Sequence, residues 1–83
     1  MPMYDENRLK RLQKDWNNAA RCPGEAEITV EQIGPGCVYG WGTEVQVLRL
    51  YWDYRGVKCR ISKTTRDGAE QWMFKLLVEP PFQ

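Results

Sequence analysis

The stretch from Glu44 to Ala69, EVQVLRLYWDYRGVKCRISKTTRDGA, constrains this chain more than any other. Apolar and polar residues alternate on both sides of Arg55-Gly56, a pair suited to a two-residue turn. A hairpin about that turn sets Tyr54 opposite Val57, Trp52 opposite Cys59 and Leu50 opposite Ile61. These pairs share one face, because successive strand side chains point to opposite sides. The other face pairs Asp53 with Lys58, Tyr51 with Arg60 and Arg49 with Ser62. Such cross-strand pairs contribute about 0.2–1 kcal/mol each. A slip of one residue would turn Lys58 and Arg60 into the core. The expectation is therefore a hairpin that buries Leu50, Trp52, Cys59 and Ile61 and exposes Lys58 and Arg60.

At 83 residues the chain has room for one domain, 1–83, with a core over about 5–78 and a loose tail at 79–83. A domain of this size buries only about 60% of the surface its unfolded chain exposes. The four tryptophans are expected to supply much of the core. No apolar run approaches the roughly 20 residues that span a bilayer. The N-terminus lacks the basic-then-apolar start of a secretory signal. Together these imply a cytoplasmic protein without membrane contact.

Cys22, Cys37 and Cys59 form no CxxC pair, and histidine is absent. No metal site or cofactor is expected from such a set. Cys59 is expected in the core as a small hydrophobe, and Cys22 and Cys37 in loops. The missing histidine also argues against an enzyme: a cysteine nucleophile would lack its usual base. No carboxylate pair or glycine-rich phosphate loop offers another chemistry.

The net charge of +1 excludes little, but its distribution is uneven. Arg8, Lys10, Arg11 and Lys14 crowd one segment. Arg55, Lys58, Arg60, Lys63 and Arg66 follow one another with no acid between them, while Glu25, Glu27, Glu31 and Glu44 gather elsewhere. Solvated faces are the common outcome of such runs; a surface that meets phosphates is the sharper one.

Asp5 to Ala20 reads as a helix, with Leu9, Leu12, Trp16 and Ala19/Ala20 as its apolar stripe. Asp5 is placed to cap it, and Glu6 and Lys10 to pair at i,i+4. Cys22-Pro23-Gly24 ends it. Glu27 to Ile33 reads as a strand that Gly34-Pro35-Gly36 stops. Cys37 to Gly42 reads as an aromatic loop carrying Tyr39 and Trp41. The stretch Thr65 to Val78 fits two patterns. As a strand it aligns Trp72, Phe74, Leu76 and Val78 after an Asp67-Gly68 turn. As a helix it aligns Ala69, Trp72, Met73, Leu76 and Leu77, with Asp67 and Glu70 as a capping box. Its strong helix formers favour the helix, and Pro80-Pro81 ends it. The expected fold is α+β: a three-stranded antiparallel sheet with two helices packed on one face, in the order α-β-β-β-α.

In that order, over Asp5 to Leu77, the chain resembles a double-stranded-RNA-binding domain. Ile28-Thr29-Val30-Glu31-Gln32-Ile33-Gly34-Pro35 looks like the family's first strand and Gly-Pro loop, and Ala69-Glu70-Gln71 like its last helix start. The family's Gly-Pro-x-His motif stands here as Gly34-Pro35-Gly36-Cys37, without the histidine. Its Lys-Lys-x-Ala motif would fall on Arg66-Asp67-Gly68-Ala69, with an aspartate in place of a phosphate-gripping lysine.

The resemblance implies a non-catalytic module that contacts structured RNA through Lys10, Arg11, Lys14, Lys63 and Arg66. The alternative is a protein-interaction module: a dimer, an adaptor, or a small inhibitor of virus or phage type. It would use the outer sheet face and the aromatic loop, through Tyr39, Trp41, Val47, Arg49, Tyr51 and Arg60, and the same face would serve a homodimer.

Overall fold

The computed structural model describes residues 4–77. Its elements are α1 (Glu6–Ala19), β1 (Thr29–Glu31), β2 (Cys37–Gly42), α2 (Glu44–Asp53), β3 (Cys59–Arg66) and β4 (Ala69–Leu77). The fold is α+β, as expected, but the sheet has four strands in the order β1-β2-β4-β3. Every neighbouring pair is antiparallel. β2 and β3, joined through α2, therefore run parallel with β4 between them. The observed α-β-β-α-β-β order differs from the α-β-β-β-α order that the resemblance implies. The 79–83 tail and the Pro80-Pro81 stop lie outside the described residues.

α1 forms as its sequence directs. Asp5 caps it, its carboxylate accepting from the Arg8 amide at 2.8 Å, and Glu6 pairs with Lys10 at 3.3 Å. Trp16 and Ala20 are buried, and Leu9, Leu12 and Ala19 pack beside them. Polar side chains on α1 also complete the edge of β1. Gln13 Oε1 accepts from the Val30 amide at 3.3 Å, and just before the strand Gln13 Nε2 donates to the Ile28 carbonyl at 2.9 Å and Asn17 Oδ1 accepts from the Ile28 amide at 2.7 Å. An edge strand's unpaired backbone groups are thereby satisfied within the molecule. The strand itself is shorter than Glu27 to Ile33, and Ile33 is exposed.

The expected hairpin about Arg55-Gly56 does not form; Glu44–Asp53 is a helix. Thr43 decides this. Its hydroxyl accepts from the Gln46 amide at 3.3 Å, and Gln46 Oε1 accepts from the Thr43 amide at 2.9 Å, a reciprocal capping box. Gln46, Val47 and Leu50 are then buried on one helical face, with Tyr51 and Tyr54 half-buried beside them. Arg55 and Gly56 do adopt positive φ, 56° and 69°, but as the helix stop. The Gly56 amide reaches the Tyr51 carbonyl at 2.9 Å and the Arg55 amide the Trp52 carbonyl at 3.0 Å, a Schellman motif. Trp52, expected in the core, is 76% exposed. Leu50 and Cys59 are buried as expected, Ile61 is half-buried, and Lys58 and Arg60 are exposed.

The second correction runs the other way. Ala69–Leu77, read as a helix, is β4, and Asp67-Gly68 is the hairpin turn joining it to β3. Both turn residues have positive φ, 53° and 77°, as a type I′ turn requires. Asp67 therefore caps no helix. Propensity lost to position here: β4 pairs on both sides, and a strand turns Trp72, Phe74 and Leu76 inward together. Cys37–Gly42, read as a loop, is the strand β2.

Both helices cover one face of this sheet. Trp16, Ile28, Val38, Val47, Leu50, Cys59 and Phe74 form the core, so only one of the four tryptophans is fully buried. The Trp16 ring meets Phe74 edge-on at 5.0 Å, and its Nε1 donates to the Tyr54 hydroxyl at 2.8 Å. Gly40 admits that ring to β2; a Cβ there would lie 2.9 Å from Trp16 Cζ3.

Candidate functional site

Among the described residues, no element lies over the face of the sheet turned away from the helices. Parity and register fix its members. β2 contributes Cys37, Tyr39 and Trp41, opposite Leu77, Lys75 and Met73 of β4. β3 contributes Arg60, Ser62, Thr64 and Arg66, and β1 contributes Thr29 and Glu31. The Tyr39 and Trp41 rings, two residues apart on one strand, lie nearly parallel, with 22° between planes and 6.2 Å between centroids. The Arg66 guanidinium sits 4.6 Å from the Trp41 ring centre. Glu31 ties this group together: its carboxylate accepts from Trp41 Nε1 at 2.9 Å and pairs with Arg66 at 3.0 Å. The pair is about two-thirds or more shielded from solvent, at 27% and 32% side-chain exposure. Screening is therefore weaker there than for an exposed pair. Glu31, the acid on the face, is thus consumed, leaving Arg60 of the edge strand β3 opposite Lys75 of β4.

The sequence-expected RNA residues do not form one surface. Lys10, Arg11 and Lys14 are exposed on α1, which packs over β1. Lys63 lies on β3, the opposite edge of the sheet, and pairs with Glu70 at 3.0 Å. Arg66 points to the open face, away from the helices. Of the alternative set, Tyr39, Trp41 and Arg60 do share the open face. Val47 is buried in α2, Arg49 is exposed on it, and Tyr51 packs against Gly56, so these three belong elsewhere. Lys75, Met73 and Gln71 were missed as site residues because β4 was read as a helix; strand parity from the Asp67-Gly68 turn would have found them.

The buried Cys59 thiol is pushed above its ordinary value by desolvation, which disfavours the thiolate. Burial likewise raises the Tyr54 phenol, against the opposing hydrogen bond from Trp16. Among the described residues, no cluster of His, Cys, Asp or Glu is arranged to hold a metal ion. No helix among them is long and apolar enough to cross a membrane. Comparison of the chain with protein-family models, curated proteins and solved structures finds no match.

Proposed function

We propose that this chain is a non-catalytic binding module that takes an extended single strand of nucleic acid, RNA or DNA, across its open sheet face. One observation carries the reading: the stacked Tyr39–Trp41 pair in mid-sheet, flanked by Arg66, Arg60 and Lys75. Single strands are held by aromatic side chains on which bases stack and by cations that follow the backbone. Stacking is tolerant of sequence because every base has a π-face. Glu31, the acid in the way, is neutralised by Arg66.

The test is fluorescence anisotropy with labelled oligo(U) and oligo(dT) about eight nucleotides long, within the span of single-strand-binding domains. Binding should weaken with salt by a slope of about 0.7 per phosphate contacted. Tyr39→Ala should lower affinity by about 1–3 kcal/mol, and Arg60→Ala and Lys75→Ala should each reduce the slope. A duplex of about 16 base pairs is the second arm. Binding to it that depends on Lys10 and Lys14 but ignores Tyr39→Ala would return the site to α1.

The second reading is a protein-docking surface. It draws on α2, where Val45, Arg49 and Trp52 follow at i, i+4 and i+7 on the exposed side, with Trp52 76% exposed. Tyr, Trp, Met and Arg on the sheet face are also common at interface centres. If neither strand nor duplex binds at low salt, the nucleic-acid reading falls and this one stands.

A further inference from the structure

The sheet has two edges, and the molecule treats them differently. β1, at one edge, is three residues long, and Gln13 of α1 bonds to its Val30 amide and to the Ile28 carbonyl just before it. β3, at the other edge, is eight residues long. Two observations fix which of its backbone groups are used. The Leu77 amide donates to the Lys58 carbonyl at 2.8 Å, and Asp67-Gly68 closes the hairpin between Arg66 and Ala69. Antiparallel partners alternate between bonded and non-bonded pairs, so Arg60, Ser62, Thr64 and Arg66 turn their backbone groups toward β4. Ile61, Lys63 and Thr65 turn theirs outward, where no element of the described residues pairs with them.

This open edge is also basic. From Lys58 to Arg66 it carries Lys58, Arg60, Lys63 and Arg66 and no acid. Glu70 answers Lys63, and Glu31 answers Arg66. Arg60 stands opposite Lys75 on the open face, and neither forms an ion pair among the described residues. Like charges set directly opposite one another are destabilising, so this pair calls for an anion beside β3. On the other face of the same edge, Ile61 is only half-buried and offers an apolar neighbour.

We propose that the free edge of β3 takes an extended acidic segment of a partner protein as a fifth strand of the sheet. The stacked Tyr39–Trp41 pair takes no part in this, so the added strand stands or falls apart from the single-strand reading. Backbone bonds to Ile61, Lys63 and Thr65 hold the segment, and its alternate side chains make it selective. An acid turned to the open face meets Arg60. The next residue of the segment points the other way and, if apolar, packs on Ile61. A second copy of this chain does not fit the edge, because two such edges would set their cations against one another.

The probe is a peptide of about seven residues in which glutamate and valine alternate, long enough at about 3.3 Å per residue to line this edge. Amide hydrogen exchange reads its binding. In the protein alone, the amides of Ile61, Lys63 and Thr65 should exchange fast and those of Ser62 and Thr64 slowly. With the peptide at about ten times its Kd, the first three should slow about tenfold. Lysine in place of the glutamates should abolish binding. The valines stand opposite Ile61 and Lys63 and share their face, so it is their amides that point at β3. Methylating those amides should weaken binding about tenfold for each bond lost. Lys63→Pro removes an outward N–H that the β3–β4 ladder does not use, a place where an edge strand accepts proline. It should lose the peptide and keep its circular dichroism; the methylated peptide decides the matter if that variant does not fold. Unchanged exchange at Ile61, Lys63 and Thr65, or equal binding of the methylated peptide, overturns the added strand. Equal binding of the lysine peptide overturns the acidic partner. So does sedimentation of the protein alone as a dimer in which those three amides are already slow.

Discussion

The two faces of the sheet are built from the same strands, residue by alternate residue, and share almost no chemistry. The inner rows hold Val38, Gly40, Phe74 and Leu76 against Trp16 and Leu50. The outer rows hold Tyr39, Trp41, Met73, Lys75, Arg60 and Arg66, with no helix of the described residues packed on them. On the inner side a polar atom is costly unless paired, and packing is dense. On the outer side a cation is hydrated and an aromatic ring is tolerated. Adjacent residues on one strand therefore answer to different constraints. The inner row places the helices, and the outer row is free to vary toward a ligand.

The sharpest way to break this comparison uses neighbours in the chain. Phe74 is 0% exposed and touches Trp16, whereas Met73 beside it faces outward. Phe74→Ala should destabilise by about 3–5 kcal/mol, and Met73→Ala by less than about 1 kcal/mol. Urea unfolding with an unchanged slope measures both, and equal losses would mean the faces are misassigned. Gly40→Ala comes next. Its Cβ would meet Trp16 at 2.9 Å, so overpacking should cost about 1–3 kcal/mol, with a change in tryptophan near-ultraviolet dichroism. Smallest is Trp52→Ala, which carries the comparison onto α2. At 76% exposure it should change stability by no more than about 0.5 kcal/mol. A loss of several kcal/mol would put that ring in the core.

α1 was fully legible: cap, stripe, i,i+4 pair and proline stop all agree. The two later elements were not, and their misreadings mirror one another. In the stretch from Glu44 to Tyr54, the residues Leu48, Leu50 and Trp52 satisfy a strand's period of two, while Val47, Leu50, Tyr51 and Tyr54 satisfy a helix's i, i+3, i+4, i+7. The signal that separates them is Thr43-x-x-Gln46, which begins just outside the stretch read as a strand. In Ala69–Leu77 the local preference is helical, and a strand wins through pairing with β2 and β3 that no local window contains. Phe74 was the clue, since the helix left it outside the core. The site was half legible for the same reason. Tyr39, Trp41, Arg60 and Arg66 were singled out, but the row of β4 that joins them appears only once Ala69–Leu77 is a strand.

The position of β4 has a consequence for timing. Among the described residues it is the latest strand in chain order, yet it lies in the interior of the sheet. The β3–β4 hairpin, closed by Asp67-Gly68, needs only local contacts. β2 must wait, because its partner comes after the whole of α2 and β3. Closing so long a loop before its contacts give any return slows folding. Until β4 arrives, β2 holds Val38 and Trp41 with only the three-residue β1 alongside. During synthesis the half-made sheet is therefore the vulnerable species, exposed to mispairing until the hairpin slots into its gap.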